Sequence, residues 1–144
     1  MRSALRAAAP ALVFPMLAGS LIGIGIGTGA SAHAQPPLHH ISYRVTAEEP
    51  VSADIYYREA DPPTWADYSH NPYVFSPRAV VEVGPDRPWV FETFLADPNR
   101  WAMVTATSGL AAISPQFRCE LAVDGVVVAS NSGPKGALCA MRHW

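Results

Sequence analysis

The fold of this chain is decided by its C-terminal stretch, residues 118–144, which reads RCELAVDGVVVASNSGPKGALCAMRHW. In it, Asp124 and Gly125 separate one apolar run, residues 117–123, from a second, residues 126–130. Asp-Gly between two apolar runs is a strong hairpin signal, because the turn needs a positive φ that glycine adopts without steric cost. The sequence therefore predicts a C-terminal β-hairpin.

Both cysteines of the chain, Cys119 and Cys139, lie in this stretch. Cys119 falls in the first strand of the hairpin, and Cys139 falls in a short last strand predicted over residues 137–143. Two cysteines in an exported chain predict one disulfide with a single connectivity, which closes a loop of about 20 residues and stabilises the fold by about 3 kcal/mol. A metal site is the alternative, but the spacing lacks a Cys-x-x-Cys pair and offers only His143 nearby.

The N-terminal segment, residues 1–34, has the pattern of an export signal. Two arginines form a short basic region, a long apolar run follows, and Ala32 and Ala34 each close a small-x-small cleavage site. A retained membrane anchor is the alternative, since the apolar run approaches the ~20 residues that span a bilayer. Several glycines weaken a helix there and favour cleavage. We predict a signal peptide over residues 1–34 and a mature domain over residues 35–144.

The predicted location is therefore secreted, periplasmic or in the cell envelope, or on the outer face of the inner membrane if the anchor is kept. Cleavage removes two of the 10 basic residues and none of the 12 acidic ones, which leaves a net charge of −4. A mildly acidic domain without a basic run argues against nucleic acid or an anionic membrane surface as the partner.

The mature domain shows the pattern of short β-strands. Ile41, Tyr43 and Val45 alternate with polar residues, the period of a half-buried strand. Further β-rich runs cover residues 53–58, 79–83, 89–95 and 101–107. No sustained helical period occurs in residues 35–144. The spacing of about seven strands predicts an all-β sandwich with one disulfide.

Residues 60–78 interrupt this pattern. Their prolines predict the absence of a regular element, yet their aromatic content is too high for a solvated linker. We predict a packed loop whose aromatic residues either cap an open end of the sandwich, the favoured interpretation, or face a partner. If the domain is a binding module, the predicted partner-binding residues are Trp65, Tyr68, Tyr73 and Phe75.

A series of short motifs resembles a known family. The motifs are, in order, ISYRV at residues 41–45, ADIYY at 53–57, Pro88-Trp89, CELAVDG at 119–125, and Cys139. They resemble the soluble domain of the MmpS family of mycobacterial membrane-associated proteins. The resemblance implies an immunoglobulin-like β-sandwich with a disulfide, acting as an accessory of MmpL exporters of lipids or siderophores. Two features differ from that family: the N-terminus reads as cleavable, and residues 60–78 are longer than the corresponding loop.

Residues that could carry chemistry are few. His39 and His40 are adjacent, so in a strand they point to opposite faces and cannot bind one metal together. His70 follows Asp67 in a proline-rich loop without a nucleophile, and residues 48–49 form a solvated acidic turn. No G-x-S-x-G elbow occurs. We expect no enzyme activity and no cofactor or metal.

Three function classes follow from these observations. The first is a non-catalytic accessory module whose partner is an MmpL-type transporter or its lipid cargo. The second is a secreted domain that binds a ligand or a host protein. The third, a small secreted hydrolase, has the least support.

Overall fold

The computed structural model of the chain describes residues 34–142, so the predicted signal segment up to residue 33, with its cleavage site at Ala32, lies outside the described residues. The elements in chain order are β1 (His39–Ala47), β2 (Val51–Tyr57), α1 (Trp65–His70), a 3₁₀ helix (Pro72–Phe75), β3 (Arg78–Val83), β4 (Trp89–Leu95), α2 (Pro98–Trp101), β5 (Met103–Thr107), β6 (Phe117–Val123), β7 (Val126–Gly133) and β8 (Gly136–Ala140). No helix within residues 34–142 has the length and apolar character that a bilayer crossing requires.

The strands form two antiparallel sheets of four strands each. One sheet has the order β4-β1-β6-β7 and the other has the order β3-β2-β5-β8. β1 is central in the first sheet, where Ile41 pairs with Thr93 of β4 on one side and Val123 of β6 on the other. The predicted all-β sandwich is confirmed, with eight strands among residues 34–142 rather than about seven.

Side chains that alternate along the central strands fill the space between the sheets. Ile41, Tyr43 and Val45 of β1 are fully buried, as the alternation predicts, and so are Ala53 and Ile55 of β2. Burying each large aliphatic side chain stabilises the fold by about 1.5–3 kcal/mol. The core thus arises directly from the period-two pattern of the sequence.

The C-terminal hairpin and the disulfide are confirmed. Asp124 has φ +50° and Gly125 has φ +82°, so both central residues of the turn are left-handed, as a type I′ hairpin requires. Cys119 and Cys139 are bonded with their Cα atoms 6.0 Å apart. Because β6 and β8 belong to different sheets, this bond joins the two layers of the sandwich.

β7 departs from simple alternation. Leu121 pairs with Ala129 and the next residue, Ala122, pairs with Val127, so β7 carries an extra residue, Val128, at a bulge. The bulge interrupts the alternation, and all three residues from Val126 to Val128 are exposed. β7 is also longer than predicted, and the last strand ends at Ala140 rather than at residue 143.

Two helical segments correct the predictions. Residues 60–78, predicted to lack a regular element, contain α1 and the 3₁₀ helix. Pro72 is compatible with the 3₁₀ helix because it stands in the first turn, where its missing N–H removes no hydrogen bond. Trp101 was predicted to begin a strand but ends α2. Asp97 starts that helix, since its side chain accepts a hydrogen bond from the backbone N–H of Arg100.

Candidate binding surface around Arg58

Arg58 follows β2 and is fully buried. Its backbone N–H donates to the carbonyl oxygen of Met103 at 2.9 Å, and its own carbonyl accepts from the Tyr43 hydroxyl at 2.9 Å. Burial raises the pKa of the Tyr43 phenol, so this hydroxyl stays protonated and remains a donor. The main chain of Arg58 is therefore fixed to the core.

The guanidinium group of Arg58 connects separate parts of the chain. Nε donates to the carbonyl oxygen of Trp101 at 3.3 Å, and Nη1 donates to the carbonyl oxygen of Phe75 and to Ser76 Oγ, the latter at 3.1 Å. Nη2 is buried and has no acceptor among residues 34–142. Since β2, α2 and the 3₁₀ helix all meet at this side chain, it holds residues 60–78 against the sandwich.

Aromatic rings surround the same guanidinium. Its carbon Cζ lies 4.5 Å from the centre of the Tyr68 ring and 5.7 Å from the centre of the Trp101 ring. Cations in this position over an aromatic face are attracted by the ring quadrupole, and the attraction is strongest where water is excluded. The rings therefore supply part of the stabilisation that a buried charge needs.

α1 directs two of the predicted partner-binding residues toward the core. Thr64 begins the helix, because its Oγ1 accepts from the backbone N–H of Asp67 at 3.1 Å. Trp65 then stacks on Trp101 at 5.9 Å between ring centres, and Tyr68 meets the same ring edge-on at 5.5 Å. Residues three apart share a helix face, so both rings cover the end of the core. Tyr68 is half-buried against the core, and Trp65 is still 37% exposed.

The other two predicted residues lie on the 3₁₀ helix and behave differently. Tyr73 is 79% exposed, and its neighbour Val74 is 66% exposed. Phe75 is half-buried and provides the carbonyl that accepts from Arg58. The structure thus brings Trp65 and Tyr68 together and leaves Tyr73 as an outward-facing aromatic residue. Whether these residues bind a partner stays a prediction.

An open depression of about 370 Å³ lies beside Tyr73. Its lining residues, none of them charged, are Tyr56, Tyr68, Pro72, Tyr73, Ser76 and Met103. No local pattern indicates a role for Arg58 or Ser76 here, because an arginine at the end of a strand is typical of a solvated position.

Three of the remaining candidate residues have structural partners, namely Asp67, His39 and His40. Asp67 accepts from Thr64 Oγ1 at 2.6 Å and does not pair with His70, which is exposed. His39 lies 2.7 Å from Asp124, and His40 lies 3.8 Å from Glu92. In the part of the chain that the structure describes, no group of three or more His, Cys, Asp or Glu residues could hold a metal ion.

Asp124, in the turn of the hairpin, has a carboxyl pKa below its usual value. The hydrogen bond with His39 Nδ1 at 2.7 Å lowers the pKa of its carboxyl, and the backbone N–H of His40 at 2.9 Å lowers it further. In return, the Asp124 N–H donates to the carbonyl oxygen of His40 at 2.8 Å. These bonds attach the start of β1 to the turn of the hairpin.

These features define a class of small β-sandwich domains in which a disulfide joins the two sheets. A family model described as the Rv2576c beta-sandwich domain matches residues 43–139, and the chain belongs to this family. Two similar relatives are Uncharacterized protein Rv2576c of Mycobacterium tuberculosis H37Rv and Uncharacterized protein Mb2606c of Mycobacterium bovis. Each is 37% identical over 115 residues, which cover 80% of this chain and 74% of the relative.

Proposed function

We propose that this protein is an exported, non-catalytic binding module that assists an MmpL-type exporter of lipids or siderophores. The similarity of its strand motifs to those of MmpS proteins supports this role and the location that goes with it, on the outer side of the inner membrane. In this proposal, residues 72–76 form the partner-binding surface.

The observation that carries the proposal is the exposure of Tyr73 and Val74 on a firmly held segment. Exposed apolar side chains side by side form the kind of anchor that fills a pocket in a partner, and aromatic residues are enriched among the strongest interface contacts. Arg58 fixes the end of their helix at Phe75 and Ser76. A segment that is already ordered loses less conformational entropy on binding, which favours affinity.

The experiment compares variants of the full-length chain, exported by its own host, for cross-linked co-purification with an MmpL-type transporter. The double variant Tyr73→Ala with Val74→Ala should lose about tenfold or more of the co-purifying transporter, since truncating a central anchor costs about 2 kcal/mol or more. Its melting temperature should change little, because both side chains face solvent. Val80→Ala is the matched control, with a valine 59% exposed on β3.

Two results would count against this proposal. Unchanged co-purification in the double variant would exclude residues 72–76 as the binding surface. Recovery of the wild-type protein in the medium with no transporter attached would favour a secreted domain that binds another ligand. Trp65→Ala should instead lower the melting temperature clearly, because its ring stacks on the buried Trp101.

A further inference from the structure

The depression beside Tyr73 has no charged lining residue, but the hydroxyl group of Ser76 forms part of its wall. Ser76 lines the depression, and its Oγ accepts a hydrogen bond of 3.1 Å from Arg58 Nη1. A hydroxyl that accepts from a cation keeps its own proton available to donate. Among residues 34–142 the structure gives this proton no acceptor. The Ser76 hydroxyl therefore offers an O–H donor to an incoming ligand, in addition to the phenol groups of the lining tyrosines.

Behind this donor lies a buried positive charge that takes part in none of the ion pairs among residues 34–142. This charge belongs to Arg58, which is fully buried. Asp61 uses its two oxygens to accept from the backbone N–H groups of Ala96 and Asp97, at 2.7 and 2.9 Å. Arginine does not lose its proton in proteins, so the charge is permanent. In a low-dielectric setting such a charge strengthens the hydrogen bond that the neighbouring hydroxyl donates.

The rest of the depression suits an apolar body. Tyr56, Pro72, Tyr73 and Met103 contribute rings and a thioether, and none of the lining residues is charged. The volume of about 370 Å³ lies at the lower end of the range for small-molecule sites, about 300–1,000 Å³. A small ligand, or one end of a longer one, therefore fits the space.

We propose that the depression binds an aliphatic carboxylate. One carboxylate oxygen accepts the Ser76 proton, Arg58 supplies the positive charge behind it, and the aliphatic part lies on Tyr73 and Pro72. A phosphate would bring three acceptor oxygens and nearly two charges to a wall in which a single hydroxyl, that of Ser76, is bonded to the guanidinium. This inference rests on the proposed function because it uses the same surface, and it adds the charge and chemical class of the ligand.

The test titrates the exported protein with octanoate, 1-octanol and octylammonium, each below its aggregation threshold. Binding is followed through the backbone amide NMR signals of Tyr73 and Ser76. Octanoate should bind about tenfold to a hundredfold more tightly than 1-octanol, the usual value of a hydrogen bond to a charged group. Octylammonium should bind more weakly than the alcohol, because Arg58 repels it.

Two variants separate the polar contact from the apolar one. Ser76→Ala should reduce the affinity for octanoate about tenfold and the affinity for 1-octanol much less, because a hydrogen bond to a charged acceptor is the stronger one, with the other amide signals unchanged. Ser69→Ala is the matched control, since that hydroxyl lies in α1 of the same segment and donates to the carbonyl oxygen of Ala66 at 3.0 Å. Tyr73→Ala should weaken both ligands alike.

Equal affinity of the wild type for octanoate and 1-octanol, no binding of either, or an unchanged affinity for octanoate in Ser76→Ala would overturn the inference. The proposed function would survive each of these results if the Tyr73 and Val74 double variant still lost the transporter. Conversely, carboxylate binding with unchanged transporter co-purification in the double variant would retain the ligand site and exclude residues 72–76 as the surface that binds the transporter.

Discussion

Replacing Arg58 with methionine tests whether the buried guanidinium holds residues 60–78 against the sandwich. Methionine keeps the length of the aliphatic stem but cannot donate a hydrogen bond. The carbonyl oxygens of Phe75 and Trp101 would then lose the donor that they share in Arg58. The Tyr68 ring would lose the cation 4.5 Å from its centre.

The size of the effect follows from opposing contributions. Each carbonyl left without a partner in the interior costs about 1–3 kcal/mol, and the loss of a desolvated cation–π contact adds up to about 2 kcal/mol. Removing a buried charge recovers several kcal/mol of desolvation energy, so the sum is smaller than the separate terms. We expect Arg58→Met to lower the free energy of unfolding by about 2–4 kcal/mol. For a domain of roughly 110 residues this is about 10–15 °C in melting temperature.

Thermal unfolding followed by near-ultraviolet circular dichroism measures this loss, because the signal reports the packing of the aromatic rings. Amide hydrogen exchange of residues 65–76 shows whether the segment detaches before the sandwich unfolds. Arg100→Met is the matched control, since Arg100 is exposed although its Cζ lies 5.0 Å from the Trp101 ring, and it should change stability by less than about 0.5 kcal/mol. A melting temperature of Arg58→Met within ~2 °C of the wild type, with unchanged exchange, would refute the reasoning.

Three further predictions concern the disulfide, the hairpin turn and the N-terminus. Cys139→Ser should cost about 2–5 kcal/mol of stability, and alkylation of the unreduced wild type should label no thiol. Asp124→Asn should reduce stability near neutral pH. The hydrogen bond with His39 lowers the pKa of the Asp124 carboxyl, so the wild type should keep its higher stability above about pH 4 and lose it as the pH falls through the lowered pKa. A difference in melting temperature between the two proteins that did not depend on pH would contradict this explanation. N-terminal sequencing of the exported protein should find a start after Ala32 or Ala34, and a start at Met1 would show that the segment is retained.

The strands could be predicted because alternation in sequence reports burial directly. β6 and β4 have the bounds that the pattern predicts, and the Asp-Gly pair identifies the turn before β7. The exposure of all three residues from Val126 to Val128 could not be foreseen, because β7 lies at the edge of its sheet and pairs with β6 through a bulge. A local pattern carries no information about such a shift in register.

The environment of Arg58 could not be predicted for a related reason. Its acceptors are the backbone carbonyls of residues 17 and 43 positions away, and any residue type offers a carbonyl. The difference between Trp65 and Tyr73 was hidden as well. Both are aromatic residues of one proline-rich segment, and only the helices that form there turn one ring toward Trp101 and the other toward solvent.

The bonds from Arg58 to main-chain oxygens separate the shape of the surface from its chemistry. The carbonyl of Phe75 is held by Arg58, whereas the side chains of Tyr73 and Val74 face solvent. The two positions can therefore be randomised in a display library while the scaffold beneath them is kept. We expect the resulting variants to differ in what they bind and to have melting temperatures close to that of the parent domain.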